Sequence, residues 1–356
     1  MKKHNYSAGP SILPQEVFEK ASKAILNFND SGLSILEISH RSKDFVAVME
    51  EARSLALELL GLTGKGYQAL FLQGGASTAF LMAPYNLLKE GGKAAYLDSG
   101  TWATAAVKEA KLFGETVIVG SSKEENYNHI PKGYAIPSDA DYFHCTSNNT
   151  IFGTQMKEFP ATNIPVVCDM SSDIFSRNLD FSKFDLIFAG AQKNMGPAGT
   201  TLVVIKEEIL EKNGRTIPSM LDYAKHIKAE SMYNTPPVFA VYVSLLTLQW
   251  IKSKGGIVAV EKLNDAKADL LYAEIDRNPL FKGAAAVEDR SKMNVTFLLN
   301  NADHTATFDA LWKEAGISGL PGHRSVGGYR ASIYNAMPIE SVQVLVDVMK
   351  ALESKV

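Results

Sequence analysis

Hydrophobic and polar positions alternate between two periods along the first 250 residues. Residues 42–61 repeat at helical spacing, with Phe45, Val48, Met49, Ala52, Leu55 and Leu59 on one face, Ser42 as N-cap and Gly61 as C-terminal stop. Residues 67–73 read as a strand, Gly74-Gly75-Ala76-Ser77 as a turn and 78–89 as a helix. A strand at 93–98, a helix at 103–113 and a strand at 116–119 repeat the unit. This alternation predicts an α/β fold with a mostly parallel sheet and right-handed crossovers. Two later runs, 164–168 and 184–193, are nearly continuous in apolar residues, as expected of strands buried on both faces. Asp169 follows the first, Lys193 closes the second, and another β-rich run occupies 200–205.

After Thr235-Pro236-Pro237 the texture changes. A threonine N-cap with prolines in the first turn predicts a helix from there to about residue 251. Gly255-Gly256 breaks it, and a second helix covers 258–278. The strand 293–299, helix 305–315, strand 329–334 and helix 339–352 then predict a compact α+β unit, with a boundary near residue 258.

Composition narrows the class. With 356 residues, 46% of them hydrophobic, the chain can bury one large core and a smaller one. A formal charge of 36 − 39 = −3 gives no basis for binding nucleic acid or an anionic membrane. Cys145 and Cys168 lie in apolar, strand-like runs and provide neither a disulfide framework nor metal-ligand spacing, so no metal is expected and a reducing compartment is. Behind Lys2 and Lys3 no apolar segment suits a signal peptide, and the longest apolar stretch, 238–251, is too short to span a bilayer. A cytoplasmic protein is the expectation.

The candidate chemistry starts with Lys193, because a lysine closing a buried strand is costly unless its charge is paired or its pKa falls. Asp169 stands 193 − 169 = 24 positions earlier, at the end of another buried strand. An amine and a carboxylate at two strand ends are what pyridoxal phosphate requires: one to capture its aldehyde, the other to keep its ring nitrogen protonated. The Gly74-Gly75 turn before a helix offers free N–H groups and a helix dipole to an anion, while the glycine patterns of nucleotide sites are absent. His40-Arg41 and His323-Arg324 sit in loop-like settings with small neighbours, and Arg330 follows the second pair. Guanidinium groups match carboxylate and phosphate, so these arginines point to a substrate with several negative charges. Trp102, just past a strand, is placed to stack on a planar ring. Taken singly, each has a plainer reading: a snorkelling lysine, a capping aspartate, a tight turn, solvated arginines, a tryptophan packed beneath a loop.

Taken together, the motifs resemble the phosphoserine aminotransferase family, class V pyridoxal-phosphate enzymes with the aspartate-aminotransferase-like fold (fold type I). They run from Asn5-Tyr6-Ser7-Ala8-Gly9-Pro10 and Ser39-His40-Arg41 through Gly74-Gly75-Ala76-Ser77 and Asp169-Met170-Ser171-Ser172. They continue with Ala189-Gly190-Ala191-Gln192-Lys193-Asn194, Gly196-Pro197-Ala198-Gly199 and Asn234-Thr235-Pro236-Pro237. They end with Gly322-His323-Arg324-Ser325-Val326-Gly327-Gly328, Arg330-Ala331-Ser332 and Ile333-Tyr334-Asn335-Ala336. The resemblance implies a large cofactor-binding domain over 16–258 and a small domain made of 1–15 and 259–356. It implies that Lys193 carries pyridoxal 5'-phosphate and that Asp169 partners the ring nitrogen. Gly75, Ala76 and Ser77 would cradle the phosphate with Gln192 nearby, Trp102 would stack on the ring, and Thr150 would face the ring oxygen. Asn234 and Thr235 would reach the phosphate from the second subunit of a homodimer. Arg330 would hold the amino-acid carboxylate. His40 and Arg41 would take the distal charge with His323 and Arg324, the last two from across the dimer interface. One departure is visible: Asn149 stands where a glutamate precedes the threonine in many relatives.

The reaction so implied is reversible transamination between L-glutamate and 3-phosphohydroxypyruvate in L-serine biosynthesis, with 4-phosphohydroxy-L-threonine of pyridoxine biosynthesis as a further substrate to consider. Within the same fold, an alanine–glyoxylate transaminase would not need so many distal cations. A cysteine desulfurase would need its cysteine on a mobile loop rather than in a strand. A non-enzymatic binding protein would not need both Lys193 and Asp169.

Overall fold

The alternating first 250 residues build one seven-stranded sheet. The computed structural model describes residues 3–210, 213–324 and 326–356, so Ser325 of the glycine-rich motif lies outside the described residues. In chain order the strands are β1 (His4–Asn5), β2 (Tyr67–Leu72), β3 (Lys93–Asp98), β4 (Glu115–Ser121), β5 (Tyr142–Thr146), β6 (Asn148–Asn149), β7 (Thr154–Gln155), β8 (Val166–Asp169), β9 (Leu186–Gly190), β10 (Thr201–Lys206), β11 (Phe281–Gly283), β12 (Asn294–Leu299), β13 (Ile317–Ser318) and β14 (Tyr329–Ser332). The helices are α1 (Gln15–Leu26), α2 (Lys43–Leu59), α3 (Gly75–Leu87), α4 (Thr101–Ala110), α5 (Tyr223–Lys228), α6 (Val238–Ser253), α7 (Gly256–Arg277), α8 (Thr305–Glu314) and α9 (Ile339–Glu353).

The large sheet has the order β2-β10-β9-β8-β5-β3-β4. Its pairings are parallel except at β10, which runs antiparallel to both β2 and β9. The parallel strands therefore end along one edge, where β10 begins, and Asp169, Lys193 and the Gly74-Gly75 turn lie at that edge. One face packs α3 and α4 through Phe80, Val107 and Phe188, and the other packs α2 and α6 through Phe45, Met49 and Leu248. Helix α2 forms where its spacing predicts: the Ser42 hydroxyl caps the Phe45 N–H at 3.3 Å, and Phe45, Val48, Met49, Ala52 and Leu55 are buried.

A smaller antiparallel sheet, β11-β12-β14, carries its own core, in which Phe297, Phe308, Leu345 and Tyr6 are fully buried. Helix α7 spans both cores, sending Ile257 and Val260 into the larger and Leu271 and Ile275 into the smaller. The N-terminal segment returns to the small sheet's side, where β1 pairs in parallel with β13. No helix among the described residues is long and apolar enough to cross a membrane.

Three details differ from the sequence reading. The strand predicted over 184–193 ends at Gly190, and Lys193 lies three residues further on, in a turn. The Ala191 N–H bonds across to the Thr200 carbonyl at 3.1 Å, and the Ala191 carbonyl accepts from Gly196 at 2.8 Å, so the chain turns away although its side chains stay apolar. Thr235 is not an N-cap: α6 starts at Val238 with Pro237 at the cap position. Helix α1, for which the periodicity gave no prediction, packs Val17 and Ala21 against Val243 and Leu246 of α6.

Candidate active site

Lys193 sits at the end of the sheet where its short turn lifts it off β9. Its Nζ donates to Thr150 Oγ1 at 2.7 Å and lies 5.7 Å from the centre of the Trp102 ring. Burial pulls the Lys193 ammonium down to about 8, a shift that Asp169 opposes and Arg330 reinforces. The N-terminal segment covers the stem of the side chain. Ser11 N–H donates to the Gln192 carbonyl at 3.0 Å, the Ser11 hydroxyl donates to the Lys193 carbonyl, and a Cβ placed on Gly9 would stand 3.3 Å from Lys193 Cγ.

Asp169 ends β8 and is buried. Burial raises its carboxyl above the usual carboxylate range, against the Lys193 charge and two hydrogen bonds to Oδ1, from Ser171 N–H at 2.9 Å and Ser171 Oγ at 2.6 Å. The sequence analysis assigned Ser171 no role; the Asp-x-Ser spacing of a side-chain turn was the available signal. Lys193 and Asp169 are thus both displaced toward their neutral forms by desolvation.

The phosphate candidates gather at the start of α3. Gly74 and Gly75 have φ of 100° and 69°, and α3 has no side-chain cap, so helix geometry leaves the N–H groups of Gly75, Ala76 and Ser77 without intrahelical partners. The Gln192 side chain folds back over Gly190, where an added Cβ would meet its Oε1 at 3.0 Å. Asn234 and Thr235 approach the same turn within their own chain: Asn234 Nδ2 donates to Gln73 Oε1 at 3.3 Å, and Gln73 Nε2 donates to the Thr235 carbonyl at 2.6 Å.

Arg330, on β14 of the small sheet, reaches the turn after β6 and donates from Nη1 to the Thr150 carbonyl at 3.3 Å, while its buried Nε has no partner among the described residues. His40 and Arg41 occupy the turn before α2, with His40 Nε2 buried and without a partner among the described residues and Arg41 exposed. His323 and Arg324 lie in the loop between β13 and β14, where the His323 carbonyl accepts from Val326 and Gly327 N–H. Asn149 is buried and ties two neighbouring segments together, donating to Thr154 Oγ1 at 3.0 Å and Ser99 Oγ at 3.3 Å. Cys145 and Cys168 are fully buried neighbours on β5 and β8, with 3.7 Å between sulfurs, far from the mobile-loop setting of a desulfurase cysteine.

This arrangement offers an amine that sheds its proton near neutrality, an acid enclosed beside it, a ring face on Trp102, an anion cradle and a partly unpaired guanidinium. Comparison with known proteins gives the family. The Aminotransferase class-V family matches residues 4–345. The phosphoserine aminotransferase of Flavobacterium johnsoniae is 92% identical over 356 residues, covering 100% of both chains. Among solved structures, the phosphoserine aminotransferase from Bacillus circulans subsp. alkalophilus superposes with a TM-score of 0.96 at 44% identity over 99% of each chain. The pyridoxal-phosphate-bound phosphoserine aminotransferase from Trichomonas vaginalis gives 0.92 at 36% identity, covering 98% of this chain and 100% of that one.

Proposed function

The chain belongs to the class-V aminotransferase family, and from that premise we propose that it transfers the amino group of L-glutamate to 3-phosphohydroxypyruvate. The products are O-phospho-L-serine and 2-oxoglutarate, and the reaction runs reversibly in L-serine biosynthesis. The observation that carries this reading is a buried Lys193 amine, held on Thr150 and pulled down in pKa by burial, within electrostatic reach of the buried Asp169 carboxyl.

The residues fit pyridoxal 5'-phosphate. When bound, it supplies an aldehyde for the amine and an electron sink for the substrate α-carbon. Lys193 would hold it, then act as the base that takes a proton from the α-carbon and returns one; an amine titrating near 8 suits both duties. Asp169, fixed by Ser171, would hold a proton at the ring nitrogen, with Trp102 against the ring and Thr150 at its oxygen. Gly75, Ala76, Ser77 and Gln192 would take the phosphate.

Arg330 would clamp the α-carboxylate shared by both substrates, while His40, Arg41, His323 and Arg324 take the distal carboxylate or phosphate. One site can then serve donor and acceptor in turn. We read Asn234, Thr235, His323 and Arg324 as serving a partner's site in a cytoplasmic homodimer. The division we adopt is a cofactor-binding domain over 16–258 and a small domain of 1–15 and 259–356.

Two measurements test the proposal. Purified protein should turn over glutamate and 3-phosphohydroxypyruvate in a coupled assay, and Lys193→Ala should abolish turnover while its circular dichroism stays native. After borohydride reduction, peptide mass spectrometry should find the cofactor on Lys193. Its attachment to a different lysine would overturn the assignment.

A further inference from the structure

We propose that Asn294 is a positioning residue that sets Arg330 against Thr150 and Lys193. The proposal rests on the reading of Arg330 as the carboxylate clamp. Asn294 opens β12 and is completely buried. Its Nδ2 donates to Ser332 Oγ at 3.0 Å and to Tyr334 Oη at 3.1 Å, and its Oδ1 accepts from Asn148 Nδ2 at 2.8 Å. Both amide protons and the carbonyl are therefore engaged.

The partners are what give the residue its significance. Ser332 lies two residues beyond Arg330 on β14, and Asn148 lies two residues before Thr150. Asn148 Nδ2 also donates to Ser172 Oγ at 2.8 Å, which ties in the loop after Asp169. Tyr334 Oη donates to the Ala8 carbonyl at 2.6 Å, beside Gly9, which packs on the Lys193 stem. One side-chain amide thus joins the strand of the guanidinium, the strand of the hydroxyl that holds the amine, the aspartate loop and the covering N-terminal segment. Among the described residues, the Arg330 side chain is held by the long 3.3 Å bond to the Thr150 carbonyl, and its Nε has no partner. Its aim is set by where its strand sits, and Asn294 fixes the strand.

The chemistry demands an amide here. Aspartate would offer no donor to Ser332 or Tyr334 and would bury a charge, while alanine would remove one hydrogen bond from each of three buried polar partners. A shift of the small sheet by a fraction of an ångström moves the carboxylate, and with it the α-carbon, relative to Lys193. Misplacement on the ~1 Å scale lowers rates by roughly 100-fold.

The test is a double-mutant cycle on holoenzyme with Asn294→Ala and Arg330→Ala. Asn294→Ala should lose up to roughly 100-fold in kcat/KM, through a lowered kcat together with a raised KM for glutamate and 2-oxoglutarate, with the absorption spectrum of the bound cofactor unchanged. In the Arg330→Ala background the same substitution should lose almost nothing more, because a residue that acts through Arg330 has nothing left to position. Losses that multiply in the double variant, or a near-native Asn294→Ala, would overturn the inference while leaving the clamp intact. An Arg330→Ala enzyme with native KM for glutamate would remove the clamp reading and this inference with it. Should Asn294→Ala fold poorly, Asn294→Ser and Asn148→Ala run the same cycle from either end of the bridge.

Discussion

Strip the cofactor from the protein and the Lys193 amine becomes a group that can be titrated directly. A free lysine loses its proton near 10.5, and burial brings this one to about 8. At pH 7.5 about a quarter of Lys193 is then neutral, against about a thousandth of an exposed lysine, a roughly 200-fold gain in nucleophilic amine. The assay is the rate of trinitrobenzenesulfonate labelling at Lys193, followed by peptide mass spectrometry across pH 6 to 11. Two substitutions should move the midpoint in opposite directions. Asp169→Asn removes the charge that favours the ammonium and lowers the midpoint further, while Arg330→Gln removes a cation that disfavours it and raises the midpoint. Linkage gives a matching trend in stability. Between about 8 and 10.5 the unfolded chain keeps a proton that folded Lys193 has released, so this site's contribution to the stability of the cofactor-free protein grows as pH rises through that window. A labelling midpoint near 10.5, or both variants shifting it the same way, would refute the reasoning.

Asp169→Asn should also yield a folded holoenzyme with turnover reduced by orders of magnitude, since an amide cannot hold a proton on the ring nitrogen; near-normal kcat would dismiss that role. Mixing equal amounts of Lys193→Ala and Arg324→Ala under subunit exchange should recover about a quarter of native activity, because about half of the dimers are then mixed and in each of these one site carries both lesions and the other neither. Confirmed exchange without recovery would mean that each chain builds its own site. Gly74→Ala, at φ 100° and with its new Cβ 2.1 Å from Thr78 Oγ1, should cost about 1–3 kcal/mol in urea unfolding and weaken cofactor retention; unchanged stability would show that the turn relaxes freely.

Most of the architecture was legible because it rests on local rules. The six-fold apolar repeat of α2, the glycines before α3 and the two-sided apolar runs of β8 and β9 are each readable within a dozen residues. The end of β9 was not. Ala189, Gly190 and Ala191 are equally apolar, and what stops the strand is the turn closed by the Gly196 N–H on the Ala191 carbonyl, after the last ladder bond from Ala191 to Thr200. The antiparallel course of β10 was hidden for the same reason, since its sequence has the composition of any buried strand. At the site, the chemistry-bearing residues announce themselves by type, whereas those that arrange them do not. Asn294 and Asn148 stand 146 positions apart, and nothing in either local sequence indicates the other. Gly9 was visible within a motif, but its contact with Lys193, and that of Ser11, is purely tertiary.

The pairing of β1 with β13 bears on how the molecule is made. His4 meets Ile317, 317 − 4 = 313 residues later, and the Tyr6 N–H closes on the Ser318 carbonyl at 2.8 Å. At about 5–20 residues per second, a ribosome needs roughly 15–60 s to bring that partner out after the first strand has emerged. Throughout that interval residues 4–11 have no strand to join, and the wall they form over Lys193 has no anchor. The large sheet can assemble in the meantime, since β10 ends at Lys206. The pocket is therefore among the last parts to close during synthesis, and a nascent chain exposes its reactive lysine before it can enclose it.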